Sequence, residues 1–169
     1  MSAVVHKLEA VFNDIAATRM AGLPICNEAV RVQAVGFCEW HGLHVGVLVT
    51  PWTMNLVLLP GDGAELKMLG PDEKMSWVFP SGTYDFMGLN EPALGNCQVC
   101  ALISPLSGIA SHEDAVSIAS QVMTALFVTA QQAKPEPARV AEAARLKGES
   151  MMDQPLSRRD FLRGGFWGK

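Results

Sequence analysis

The chain has 169 residues, 49% of them hydrophobic and 18% charged, with a formal net charge of −4. That apolar share excludes a disordered body, and no apolar run reaches the roughly 18 residues needed to cross a bilayer, so one soluble domain with a tail left over is expected. Acidity gives no reason to expect nucleic acid, which favours a basic face, and is compatible with binding a basic peptide.

The charge is unevenly placed. From Leu156 to Lys169 the basic Arg158, Arg159, Arg163 and Lys169 face Asp160 alone, a local +3 that leaves −7 for the rest. Four cysteines, Cys26, Cys38, Cys97 and Cys100, accompany a start that reads as an amphipathic helix and not as a signal peptide. The cytoplasm, where thiols stay reduced, is the expected compartment.

From Ala3 to Met20 the apolar positions Val4, Leu8, Val11, Phe12, Ile15 and Ala16 recur at helical spacing, with His6, Lys7, Glu9, Asn13 and Asp14 between them. Gly22 and Pro24 stop this helix. Period two takes over from Val30 to Trp40 and again from Leu43 to Thr50, with His41-Gly42 as the tight turn of a hairpin. That turn pairs Trp40 with Leu43, Glu39 with His44 and Cys38 with Val45. Further strands are expected at Met54 to Leu59, Met75 to Phe79, Thr83 to Leu89 and Cys97 to Ile103, punctuated by Pro60-Gly61-Asp62-Gly63, Pro80-Ser81-Gly82 and Glu91-Pro92. Ser111, with Asp114 three residues on, is the N-cap of a second helix over roughly His112 to Ala130, striped by Ala115, Ile118, Ala119, Val122, Ala125 and Leu126. Beyond it, "KPEPA" breaks structure, Arg139 to Lys147 reads as a short exposed helix, and "KGESMMDQP" as a linker. Helix, five or six strands, helix is the order of an α+β domain with an antiparallel sheet.

Few residues suggest chemistry. Cys97-Gln98-Val99-Cys100 is a CxxC, but it lies in a period-two strand where residues three apart face opposite sides, unlike a redox pair at a helix N-terminus. Cys38, His41 and His44 would add zinc ligands, yet the hairpin register turns Cys38 and His44 to opposite faces, so no metal and no cofactor are expected. No GxSxG, phosphate-binding glycine loop or HExxH occurs, and His112-Glu113-Asp114 suits the first turn of a helix. An enzyme is not expected. Apolar residues beside changes of chain direction stand out instead: Pro51, Trp52 and Met54, then Gly82, Thr83 and Phe86, then Pro105 and Leu106. Met adapts and Trp anchors, so these are candidates for a peptide groove; ordinary packing of core and rim accounts for the same residues.

"VLVTPWTMNLVLLPG", "FPSGTYDFMG" and "CALISPLSGIASHEDA", in that order, resemble the HybE/HupJ family of nickel-iron hydrogenase assembly chaperones, which includes HoxT. The resemblance runs from about Val4 to Val128 and places Cys100, but not Cys97, on a family cysteine. It implies a cytoplasmic, non-enzymatic chaperone with a secretion-chaperone-like fold: an antiparallel sheet flanked by an N-terminal and a C-terminal helix. It also implies binding to the twin-arginine signal of the hydrogenase small-subunit precursor and a delay of export until assembly is complete. Other maturation factors are possible partners, and neither nucleic acid nor stable membrane insertion is expected.

On this reading the chain divides into a chaperone domain over 1–131, a linker over 132–156 and a basic tail over 157–169. The tail's Ser157, Arg158, Arg159, Phe161 and Leu162 imitate a twin-arginine signal with no room for the apolar stretch that a real one carries next. A tethered placeholder in the signal groove is one expectation for it, and a solvated basic tail is the other. Asp85, Glu91, Glu113 and Asp114 are candidate partners for the signal's arginines. The rival expectations are a thiol-redox or metal-handling accessory of the same pathway, and an assembly scaffold that does not read the signal.

Overall fold

The computed structural model describes residues 2–89 and 91–129. The first helical stripe forms α1, Ser2–Ala17, which ends three residues before the expected Met20. There the Met20 N–H reaches back to the Ile15 carbonyl at 3.0 Å, closing the last turn ahead of Gly22, which has φ of 74°.

Six strands come next: β1 (Gln33–Trp40), β2 (Leu43–Val49), β3 (Met54–Pro60), β4 (Lys74–Phe79), β5 (Gly82–Leu89) and β6 (Cys97–Ile103). They make one antiparallel sheet in the order β1-β2-β3-β6-β5-β4. The expected hairpin register is observed, Trp40 opposite Leu43, Glu39 opposite His44 and Cys38 opposite Val45. Both turn residues, His41 and Gly42, take positive φ, as a two-residue hairpin turn requires. A bulge between Val35 and Cys38 is built on Gly36 at φ 66°, and Phe37 then lies on Gly46, where any Cβ would strike its ring.

The first strand begins at Gln33, not Val30, because Asn27 holds the preceding turn. Its Nδ2 donates to the carbonyls of Leu106 and Ile109, and the Val30 N–H donates to the Asn27 carbonyl. These bonds satisfy a segment that the alternation alone reads as strand.

The second helix, α2, spans His112–Leu126, with Ser111 as N-cap accepting from the Asp114 N–H at 3.1 Å. It stops four residues short of the expected Ala130, and Phe127 is its C-cap.

Two cores result. On one face of the sheet Leu8 and Phe12 of α1 pack with Leu48, Val57, Leu59 and Cys97. On the other, Ala115, Ala119, Met123 and Leu126 of α2 pack with Val45, Val47, Met54, Leu56, Leu58 and Phe86. Strand β2 is buried at every position, as a strand covered on both faces must be. Strands β1 and β4 are opposite edges, yet Trp40 stacks on Phe79 with ring centroids 4.1 Å apart and meets Trp77 edge-on at 5.8 Å. The sheet therefore coils until its edges touch around the α2 side of the core.

Candidate peptide-binding site

Two of the three blocks of candidate residues share one end of the sheet, since Met54 faces Ile103 across β3 and β6 and Asn27 bonds the carbonyls of both Pro51 and Leu106, whereas the block at the start of β5 lies beside the C-terminal end of α2. Most of them serve the scaffold. Met54, Phe86 and Leu106 have no exposed surface, which corrects their assignment to ligand contact: each fills the core under α2. Pro51 lies in a turn closed by Thr50 and Thr53, in which the Thr50 hydroxyl donates to the Thr53 carbonyl and accepts from the Thr53 N–H, and its carbonyl accepts from Asn27 N–H at 2.8 Å. Trp52 is half-buried and stacks on Phe12 of α1, ring centroids 6.4 Å apart. Gly82 and Thr83 open β5 after a turn in which the Ser81 N–H donates to the Leu126 carbonyl. Pro105 and Thr83 are exposed. The tail residues Ser157, Arg158, Arg159, Phe161 and Leu162 and the expected helix over Arg139 to Lys147 lie outside the described residues.

A cleft of about 510 Å³ opens at the opposite end of the sheet. One wall is the segment 68–71 after β3, the other runs from Gly88 and Leu89 of β5 through Glu91 and Pro92 to Asn96 and Cys97. The first wall is pinned to β6 by side chains: Asn96 Nδ2 donates to the Leu66 carbonyl at 3.3 Å, and Gln98 Nε2 to the Lys67 carbonyl at 2.9 Å. Gly88 lets it come close, because a Cβ there would sit 2.6 Å from the Leu69 carbonyl oxygen. Leu69 is thereby buried while Met68 points outward, 72% exposed.

Among the apolar side chains lining this cleft, Glu91 contributes a carboxylate, and Arg19 from the turn after α1 donates to its Oε2 at 2.6 Å. Of the four acids expected to meet arginines, only Glu91 lines the cleft. Asp85 accepts from Ser76 Oγ on the exposed side of β5, Asp114 accepts from Ser111 Oγ, and Glu113 lies exposed in the first turn of α2. Sequence reading named Glu91 but missed its setting. The Gly88 within an alternating strand was the available sign that something approaches there.

The thiols are arranged for packing. Cys97 sits in the α1-side core and Cys100 against the α2-side core, on opposite faces as the spacing implied. Burial pushes the Cys97 thiol up to about 11 and raises Cys38; Cys100 is raised by burial and then by the charge of Asp85. Raised thiols hold little thiolate at neutral pH, the opposite of what redox work needs. Among the described residues no group of three or more Cys, His, Asp and Glu side chains could hold a metal ion. His112, buried at the start of α2, is structural: its Nδ1 accepts from the Arg31 N–H at 3.3 Å, so Nε2 carries the proton that goes to Gln33 Oε1 at 2.8 Å.

The geometry is that of a helix-flanked antiparallel sheet with packed thiols and an apolar cleft holding one arginine-paired carboxylate, an arrangement able to receive a peptide. Over residues 3–164 the chain matches the family described as [NiFe]-hydrogenase assembly, chaperone, HybE, and it belongs to that family. The match extends past Val128 and takes in the tail's Ser157 to Leu162.

The hydrogenase expression/formation protein HupJ of Bradyrhizobium diazoefficiens is 33% identical over 90% of this chain and 83% of its own length. Protein HoxT of Cupriavidus necator is 36% identical over 72% of this chain and 74% of its own. The probable rubredoxin HupJ of Rhodobacter capsulatus is 34% identical over 86% of this chain but only 52% of its own length, so the chain spans about half of that relative. In fold, the chain resembles the solution structure of HybE from Escherichia coli, with a TM-score of 0.61 at 22% identity over 93% of each chain. Among the described residues no helix is long and apolar enough to cross a membrane.

Proposed function

We propose that this hydrogenase assembly chaperone acts in the cytoplasm on the small-subunit precursor of an uptake nickel-iron hydrogenase. It binds the precursor's twin-arginine signal and holds back export until assembly is complete. The observation that carries the reading is complementarity. Residues 2–129 hold twelve Asp and Glu against five Lys and Arg, and their cleft sets one carboxylate, already engaged with an arginine, among apolar walls. A signal of the form Ser-Arg-Arg-x-Phe-Leu offers guanidinium groups and then apolar side chains, the matching chemistry. Family membership supports a hydrogenase-related cargo, and raised thiols on opposite faces of the sheet weigh against a redox accessory.

The test is anisotropy of a fluorescent small-subunit signal peptide, at low and moderate salt, with the full chain and with a chain ending at Glu149. Binding that weakens with salt is expected, and tighter binding after truncation shows the tail competing for the same site. Equal binding by both chains retains the chaperone and discards the tail as a placeholder. Absence of binding to either replaces the reading with that of a scaffold, which would hold cargo lacking its signal equally well.

A further inference from the structure

We propose that the cleft at 68–71 and 88–97 reads an arginine of the incoming signal through Glu91, and that Arg19 is a built-in stand-in displaced when the signal arrives. The inference rests on the signal-binding reading above and names the pair of residues that performs it.

Glu91 is partly buried. Its side chain is 18% exposed, beside Leu89 and Pro92 and facing Met68, Leu69 and Pro71. A carboxylate in such surroundings needs a cation, and Arg19 provides one. Arg19 itself remains 61% exposed and is held to Glu91 by Nη2 alone, not by the two-pronged fork that a guanidinium can present. Exchange of one guanidinium for another keeps Glu91 paired in the final state, so binding does not leave a carboxylate stranded in an apolar cleft.

The two arginines differ in the side chains they bring with them. Among the described residues the cleft is lined by residues from 68 to 97, so α1 and its turn supply no apolar side chain to these walls, and Arg19 reaches Glu91 from outside the lining. A signal delivers a guanidinium with Phe and Leu behind it, and the exposed Met68 together with Leu89 forms an adaptable apolar surface for them. Arg19 thus sets a threshold: an isolated arginine gains nothing by displacing it, whereas an arginine with apolar residues behind it does. This is discrimination by an element that penalises the wrong ligand.

The experiment is anisotropy of a fluorescent peptide carrying Ser-Arg-Arg-x-Phe-Leu against the full chain and its variants, each checked by thermal unfolding. Arg19→Ala is expected to tighten binding about three- to tenfold, a gain that misfolding cannot produce, while Glu91→Gln weakens it about tenfold, in the range of one charge-assisted hydrogen bond. Arg31→Ala, which removes the same charge outside the cleft, is expected to stay within about twofold, separating displacement from general electrostatics. Met68→Ala, at an exposed position that the fold does not need, weakens binding a few-fold. Failure of Arg19→Ala to tighten binding, or a matching gain in Arg31→Ala, overturns the stand-in. Unchanged affinity in Glu91→Gln and Met68→Ala moves recognition out of the cleft while leaving signal binding in place. Absence of binding by the unaltered chain overturns both this inference and the function on which it rests.

Discussion

Replacing Gln98 by Met tests whether the cleft wall is held by the bonds described. Gln98 is a polar side chain with no exposed surface, on β6 among the α2-side core. Its Oε1 accepts from Trp77 Nε1 at 2.8 Å and its Nε2 donates to the Lys67 carbonyl at 2.9 Å, so one side chain ties β4 and the segment after β3 to the sheet centre. Methionine keeps the length and much of the volume but makes neither bond. A hydrogen bond of this kind contributes about 1 ± 0.5 kcal/mol net, so two amount to about 2 kcal/mol. Trp77 is half-buried and regains part of this from water, while the more apolar side chain offsets a further part; the expected loss is about 1–2 kcal/mol. For a domain of this size that is roughly 3–10 °C in Tm. Urea unfolding measures the loss, and amide exchange at Met68 and Leu69 should quicken as the wall loosens. An unfolding free energy within about 0.5 kcal/mol of the unaltered chain, with unchanged exchange at those amides, would refute the reasoning.

Trp40→Ala removes the ring that joins the two sheet edges, and as Trp40 is half-buried the expected loss is about 2–4 kcal/mol by urea unfolding, with near-ultraviolet dichroism of the aromatic cluster diminished. Cys97 predicts a pH dependence. Its thiol is raised by burial from 9.0 to about 11, so between these values the unfolded chain has released a proton that the folded chain keeps. Stability therefore falls as pH rises from about 9 and levels off above about 11, by roughly 1–2 kcal/mol once solvent screening is discounted. Cys97→Ala should lose that part of the slope, and an identical slope in both proteins would exclude Cys97 as its source. His44 is buried, and among the described residues its Nδ1 has no hydrogen-bond partner, so His44→Leu should be neutral or stabilising by up to about 1 kcal/mol in the same unfolding assay.

Periodicity, turn chemistry and capping were enough to place both helices and all six strands, because each depends on neighbours within a few residues. The hairpin register came from His41-Gly42 alone, and with it the separation of Cys38 from His44; the alternation of a strand likewise put Cys97 and Cys100 on opposite faces. The errors in boundaries have long-range causes. Asn27 reaches across the chain to Leu106 and Ile109 and keeps Val30 to Val32 out of β1, a bond that no local pattern encodes. The apolar residues at the turns were visible as a set, but whether each faced ligand or core depended on where α2 docked, and Met54, Phe86 and Leu106 went inside.

The sequence by itself determined the elements, their antiparallel pairing and the acidic balance of the body, since these depend on residue spacing and composition. Only the tertiary structure decided that the sheet coils until Trp40 meets Phe79, that Gly88, Asn96 and Gln98 draw the 66–71 segment against β5 and β6, and that Arg19 finds Glu91 72 residues away. Those contacts join residues far apart in the chain, and they form only where twist, side-chain volume and unsatisfied backbone groups are resolved together in space.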